Sequence, residues 1–139
     1  MKKKCKVIIT EDDYDDADFL KDALRQNQFQ GDIEHIENGE KLMRQLLALK
    51  QENLLPELIV LDLNMPFKSG YDVLVEMKSD PQLQNIPIAV VTASIRNEDK
   101  TYCDERGCSL FERKPISVHE YSDIAYRIVH LLKRQYSYC

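Results

Sequence analysis

Apolar and polar residues fall along this chain in blocks that switch between short strand-like runs and helical stripes. The run Leu58-Ile59-Val60-Leu61 stops abruptly at Asp62, the pattern of a strand buried on both faces. Pro66 and Gly70 mark a turn behind it, and Val73, Leu74 and Met77 then recur at helical spacing. Lys6 to Thr10 is a second apolar strand, closed by Glu11, Asp12 and Asp13. The helix that follows carries Phe19, Leu20, Ala23 and Leu24 on one side. Residues 32–36 read as a shorter, more polar edge strand. Asn38-Gly39 opens a helix with Leu42, Met43, Leu46, Leu47 and Leu49, and residues 51–56 read as a polar loop. Pro87 introduces Ile88-Ala89-Val90-Val91, ending on Thr92. Residues 95–106 have the weakest amphipathic pattern and predict the least firmly held helix. A fifth strand at 109–112 leads to Lys114-Pro115. A last helix over about 117–134 places Tyr121, Ile124, Ala125, Ile128, Leu131 and Leu132 inward, and residues 135–139 read as a tail.

Strand and helix alternate five times, which predicts an α/β fold: a parallel sheet with helices on both faces. The 139 residues fit one domain, 1–139, with a core over about 5–134 and short tails, Lys2 to Lys4 among them. A formal net charge of -5 argues against direct nucleic-acid binding. No apolar run approaches the ~20 residues that cross a bilayer, and no apolar signal-peptide region follows the basic start. Cys5, Cys103, Cys108 and Cys139 lack Cys-x-x-Cys spacing and nearby His partners, so they read as reduced thiols of a cytoplasmic protein. Redox sensing by Cys103 and Cys108 is the lesser alternative.

Candidate chemistry sits at the strand ends. The first strand ends on Glu11 and Asp12, the third on Asp62, the fourth on Thr92 and the fifth on Lys114. In a parallel sheet these ends share one edge, where the sites of open α/β sheets lie. Three carboxylates within ~5 Å would repel by about 3 kcal/mol per pair at an effective dielectric near 20. Such a cluster shares protons or binds a cation, and an all-oxygen set suits Mg²⁺. An Asp beside a divalent ion can attack phosphorus, with Thr92 and Lys114 placed to contact the phosphoryl oxygens. The plainer readings are helix-start acidity for Asp15, Asp16 and Asp18, solvation for Asp13, and surface or structural roles for His35, His119 and His130.

Glu11-Asp12, Asp62 with Pro66 and Gly70, Thr92-Ala93 and Lys114-Pro115, in this order and spacing, resemble the receiver domain of two-component response regulators. The likeness is nearest to small stand-alone receivers, including those paired with phytochrome-type histidine kinases. It implies a flavodoxin-like doubly wound fold, five parallel strands in the order 2-1-3-4-5. It implies Asp62 as phosphoacceptor, Mg²⁺ held by Glu11, Asp12, Asp62 and the backbone carbonyl of Asn64, and phosphoryl contacts from Thr92 and Lys114. It further implies a cis peptide before Pro115 and a switch pairing Thr92 with Phe111. Asn64 and Ser94 would tune dephosphorylation. The implied partners are a histidine kinase or histidine phosphotransfer protein and a downstream protein target. The fourth helix, fifth strand and fifth helix would form a homodimer surface, to which Tyr121, Tyr126 and Val129 are expected to contribute.

One departure from the common pattern is the loop near 51–56, which lengthens the interval between Asp12 and Asp62 to 50 residues. No helix-turn-helix or enzyme domain is legible, so output is expected through protein contact or onward phosphotransfer. The expected role is a signalling receiver that catalyses only its own phosphorylation and dephosphorylation. Two competing readings remain. One is a pseudo-receiver that binds partners without phosphorylation. The other is a haloacid-dehalogenase-type phosphatase, which needs a second Asp where this chain has Asn64.

Overall fold

The computed structural model describes residues 4–93 and 96–139. Five parallel strands form one sheet in the order β2-β1-β3-β4-β5. They are β1 (Lys6–Thr10), β2 (Asp32–Ile36), β3 (Leu58–Leu61), β4 (Ile88–Thr92) and β5 (Leu110–Arg113). The helices are α1 (Tyr14–Gln26), α2 (Gly39–Glu52), α3 (Gly70–Ser79), α4 (Asn97–Glu105) and α5 (Tyr121–Gln135), the last preceded by a 3₁₀ turn over Val118–Glu120. This is the flavodoxin-like order that the receiver resemblance implies, built on the parallel sheet expected from the strand–helix alternation.

Strand periodicity divides the core into two layers. Val7, Ile9, Val60, Ala89 and Val91 point to the side covered by α1 and α5. Ile8, Ile59, Leu61, Ile88 and Val90 point to the opposite side, where Leu42, Leu46, Val73, Leu74 and Met77 of α2 and α3 cover them. Helix starts are fixed by side chains that accept orphan backbone N–H groups. Asp13 accepts from Asp16 at 3.1 Å, Asn38 from Lys41 at 2.9 Å and Ser69 from Asp72 at 3.3 Å. The role of Asp13 is thus a helix cap. Lys2, Lys3, Ser94 and Ile95, to which the sequence also assigned places, lie outside the described residues.

Helix α4 is the weakly attached element that its sequence predicts. Only Asp99 and Cys103 of its residues are buried. Asp99 accepts from the Tyr71 hydroxyl and pairs with the Arg96 guanidinium, whose hydrogen bonds hold its carboxyl below the usual range. Tyr71 meets Tyr102 edge-on at 5.3 Å, and Arg106 stacks over the Tyr102 ring.

Three expectations require correction here. Cys5 and Cys139 are joined by a disulfide, with Cα atoms 5.3 Å apart, so only Cys103 and Cys108 are free thiols. Sequence spacing had no means of showing a pair that the sheet and α5 bring together across 134 residues. Residues 136–139 are accordingly no loose tail. Tyr136, Tyr138 and Cys139 pack on the core, and the Tyr138 hydroxyl donates to buried Glu57 at 2.7 Å. The other Glu57 oxygen accepts the Lys6 N–H at 2.8 Å. Secondly, no cis peptide occurs among the described residues, so Lys114–Pro115 is trans. Trans is the intrinsic X-Pro preference by about 0.5–1 kcal/mol. Thirdly, Tyr121 and Val129 belong to the core and not to an exposed face; of the three residues expected there, only Tyr126 is exposed. The α5 stripe continues through Val129 because α1 packs along it.

Candidate functional site

The parallel ladder runs one residue beyond the strands, and this sets the site. The Glu11 N–H donates to the Ile36 carbonyl at 3.0 Å, Asp62 N–H to the Thr10 carbonyl at 3.1 Å, and Lys114 N–H to the Thr92 carbonyl at 2.8 Å. Backbone hydrogen bonds thus hold Glu11, Asp62 and Lys114 at the carboxyl ends of β1, β3 and β5, each tied to the strand beside it. Gly70 supports the same edge from behind. A Cβ there would lie 2.3 Å from the Asp62 carbonyl oxygen and 2.7 Å from the Leu63 Cα, both backbone atoms that yield only if the turn moves. Gly70→Ala is therefore expected to cost about 1–3 kcal/mol of stability and to displace the Asp62 backbone. Chemical denaturation with amide chemical shifts would check it; an unchanged midpoint and an unshifted Asp62 amide would contradict the account.

The side chains converge as the backbone directs. Lys114 Nζ lies 2.7 Å from Glu11 Oε1, 3.0 Å from Asp16 Oδ2 and 3.1 Å from Asp62 Oδ2. The second Asp62 oxygen accepts the Asn64 N–H at 3.2 Å. Carboxylate oxygens of Glu11, Asp12 and Asp62 all fall within 4.8 Å of one another, the first and last buried and Asp12 exposed. Thr92 is fully buried, and its hydroxyl accepts from the Asn64 side-chain amide at 3.4 Å. Phe111 pairs in register with Val90 and is half-buried against the α2–α3 layer. Pro115 is half-buried behind Lys114.

Charge does not balance in this cluster. One ammonium faces four carboxyl groups: Glu11, Asp12, Asp16 and Asp62. Burial pushes the Glu11 carboxyl up to about 8, the nearby Asp62 charge adds to the rise, and the hydrogen bond from Lys114 opposes it. Burial works against the charged Lys114, yet its hydrogen bonds to Glu11 and Asp16 outweigh that and hold its ammonium well above the ordinary lysine range. An oxygen-only donor set with two buried members and one open to water fits a hard divalent cation. The same geometry leaves the Asp62 carboxylate between the Lys114 ammonium and the Asn64 N–H, with the Thr92 hydroxyl reached through the Asn64 side chain.

Of two further neighbours, Asp16 escaped the sequence reading and His35 was read only coarsely. Asp16 reaches Lys114 because it lies in the first turn of α1, one helical turn beyond Asp12; that spacing was the available signal. His35, read as surface or structural, places Nε2 2.6 Å from the Glu11 carbonyl and meets Tyr14 edge-on at 5.1 Å. It props the loop that carries Glu11 and Asp12, and nothing in its own sequence neighbourhood announced this. His119 and His130 are exposed on the surface.

Comparison with known proteins gives the family and the fold. The chain is 33% identical over 95 residues to the response regulator Rcp1 of Synechocystis sp., covering 67% of this chain and 64% of that protein. It is 38% identical over 63 residues to the polar-differentiation response regulator DivK of Brucella ovis, covering 45% and 51% respectively. The match thus spans between half and two thirds of the length of these curated relatives. Among solved structures, the phosphorylated cyanobacterial phytochrome response regulator RcpA superposes with a TM-score of 0.86 at 26% identity, over 96% of this chain and 97% of that one. The Mn²⁺-bound form of Rcp1 superposes with a TM-score of 0.79 at 27% identity, over 91% of both. The family model for the response regulator receiver domain matches residues 7–125, and the chain therefore belongs to the response regulator receiver family.

Proposed function

We propose that this receiver accepts a phosphoryl group on Asp62 from a histidine kinase or histidine phosphotransfer protein. The observation that carries the reading is the Asp62 carboxylate held 3.1 Å from the Lys114 ammonium inside a cation-seeking acidic cluster. An Asp62 oxygen attacks phosphorus as the bond to the donor imidazole nitrogen breaks, and that nitrogen leaves with a proton. Lys114 compensates charge on one phosphoryl oxygen, and the Thr92 hydroxyl donates to another. Mg²⁺, held by Glu11, Asp12, Asp62 and the Asn64 carbonyl, would supply further charge neutralisation. The hydroxyl of Thr92 turning from Asn64 toward the phosphoryl group, with Phe111 following inward, would bias the α4–β5–α5 face between two states. That face would bind a downstream protein target or a second copy of the chain, or the phosphoryl group would pass onward. No helix of the described residues is long and apolar enough to cross a membrane. The cytoplasm is part of this proposal through the histidine-kinase donor alone, because the Cys5–Cys139 disulfide removes the cysteine argument for a reducing compartment.

Intact mass after incubation with acetyl phosphate tests the proposal. A single added phosphoryl mass is expected with Mg²⁺, none without it, and none in Asp62→Asn. Because hydrolysis can outrun detection, beryllofluoride binding is measured in parallel. Mg²⁺ uptake with neither phosphoryl nor beryllofluoride binding would replace this reading by a partner-binding module that works unphosphorylated.

The raised Glu11 carboxyl makes cation binding pH-dependent, because a proton must leave before the oxygen can ligate. Mg²⁺ affinity is expected to climb by up to about tenfold per pH unit below about 8 and to level off above it. Calorimetric titration in buffers of different ionisation enthalpy reads the released proton directly. A pH-independent affinity between 6 and about 8 would contradict the assignment.

A further inference from the structure

Helix α4 ends in a Schellman arrangement, and its two contact positions are both cysteines. Gly107 adopts the left-handed conformation at φ +72°. Its N–H donates to the Asp104 carbonyl at 3.1 Å, and the Cys108 N–H returns to the Cys103 carbonyl at 3.1 Å. This pair of bonds brings residue C″ over residue C3, where a hydrophobic contact ordinarily forms. Here C3 is Cys103 and C″ is Cys108. The backbone bond therefore sets the two remaining free cysteines over one another in the same apolar layer.

Their surroundings differ in the way that sulfur chemistry requires. Cys103 is fully buried in the α2–α3 layer, whereas Cys108 is half-exposed at the edge of the same layer. The neighbouring Cys103 thiol holds Cys108 below the usual thiol range; burial opposes this, and Lys78 and Arg106 reinforce it. The Cys108 thiol, with burial, pushes Cys103 up. Asp104 is the acidic neighbour that works against the Cys108 thiolate. An accessible, thiolate-prone sulfur touching a sealed one matches a sensing thiol with its resolving partner. A purely apolar contact would be served as well by alanine or leucine.

We propose that Cys103 and Cys108 form an oxidisable dithiol, in which a hydroperoxide oxidises Cys108 and Cys103 closes an intrachain disulfide. The Cys108 thiolate attacks one peroxide oxygen, the O–O bond breaks, and the alcohol or water leaves with a proton. The resulting sulfenic acid is then attacked by the Cys103 sulfur. The S–O bond breaks, water departs with the Cys103 proton, and the S–S bond forms. Two thiols lose two electrons in all, and the hydroperoxide takes them up. Closure would tie the last turn of α4 to the start of β5, three residues from Phe111. It would act on the α4–β5 face without touching Asp62, and the disulfide chemistry stands whether or not that site takes phosphate.

The test uses the full chain with Cys5–Cys139 intact. It is exposed to equimolar hydrogen peroxide, quenched with N-ethylmaleimide in denaturant, and weighed. The untreated chain is expected to take two maleimides. The treated chain should take none, lose two hydrogens in mass, and yield a peptide linking Cys103 to Cys108. Cys103→Ala should trap a single dimedone adduct at Cys108. Cys108→Ser should slow loss of the remaining thiol by at least about tenfold, since its sulfur is sealed and protonated. Two maleimides retained after peroxide would overturn the proposal. So would equal oxidation rates in Cys108→Ser and the parent chain, or Cys108 bonded to a second molecule.

Discussion

Lys114→Met is expected to slow phosphoryl uptake from acetyl phosphate by about two to three orders of magnitude, the loss typical of removing one preorganised donor to developing charge. The same substitution should change stability in a pH-dependent way. Lys114 is 13% exposed and holds three carboxylates at 2.7, 3.0 and 3.1 Å, so its removal leaves buried acids facing one another. Breaking a buried ionic cluster from one side costs about 3–5 kcal/mol when the remaining groups stay charged. The sign follows from Glu11, whose carboxyl is raised to about 8 in the fold against 4.5 for a free side chain. Between those values the folded chain keeps a proton that the unfolded chain has released, so stability falls as pH rises. Loss of Lys114 removes the hydrogen bond that opposes this rise, and the fall should extend to higher pH. Urea denaturation at pH 5.5 and 8.5 is expected to show the larger deficit at 8.5, with Mg²⁺ restoring part of it. A deficit equal at both pH values would mean that Lys114 acts through packing alone.

Cys139→Ser should lower stability by about 5 kcal/mol, since the lost bridge closes a loop of 134 residues and constrains the unfolded chain accordingly. In a protein of this size that corresponds to roughly 15 °C in Tm. The folded state contributes less to the difference, because Tyr138 retains its hydrogen bond to Glu57 and the tail keeps its apolar contacts. Treating the parent chain with a reductant should reproduce the variant, while Cys108→Ser should leave the bridge-dependent stability in place. Matching thermal midpoints for the oxidised and reduced parent chain would refute the stabilising role of the bridge.

Much of the architecture was readable because strand edges and helix stripes are local signals. β1 and β2 begin and end where alternation and flanking acids indicated, and α4 proved as weakly anchored as its polar composition implies. The convergence of Glu11, Asp12, Asp62 and Lys114 followed from parallel topology, which converts strand ends distant in sequence into neighbours. What escaped depended on packing between elements. Cys5 meets Cys139 only because α5 returns across the start of β1; Asp16 meets Lys114 only through the orientation of α1. Val129 looked available for a partner until α1 covered it, and the Lys114–Pro115 bond is trans where resemblance implied cis. Apart from that local peptide bond these are relations between distant elements, and only Asp16 carried a sequence signal, its place one turn beyond Asp12.

The attachment of α4 through Asp99, Arg96 and edge-on tyrosines, in place of an apolar stripe, has a calorimetric consequence. Heat capacity tracks hydrocarbon exposed to water, at about 0.45 cal/K/mol per Å². Lifting this helix would uncover Cys103 and the contact between Tyr102 and Tyr71, a small apolar area. Its docking and release should therefore be nearly silent in heat capacity while remaining plain in amide hydrogen exchange, which reports opened backbone whatever its polarity.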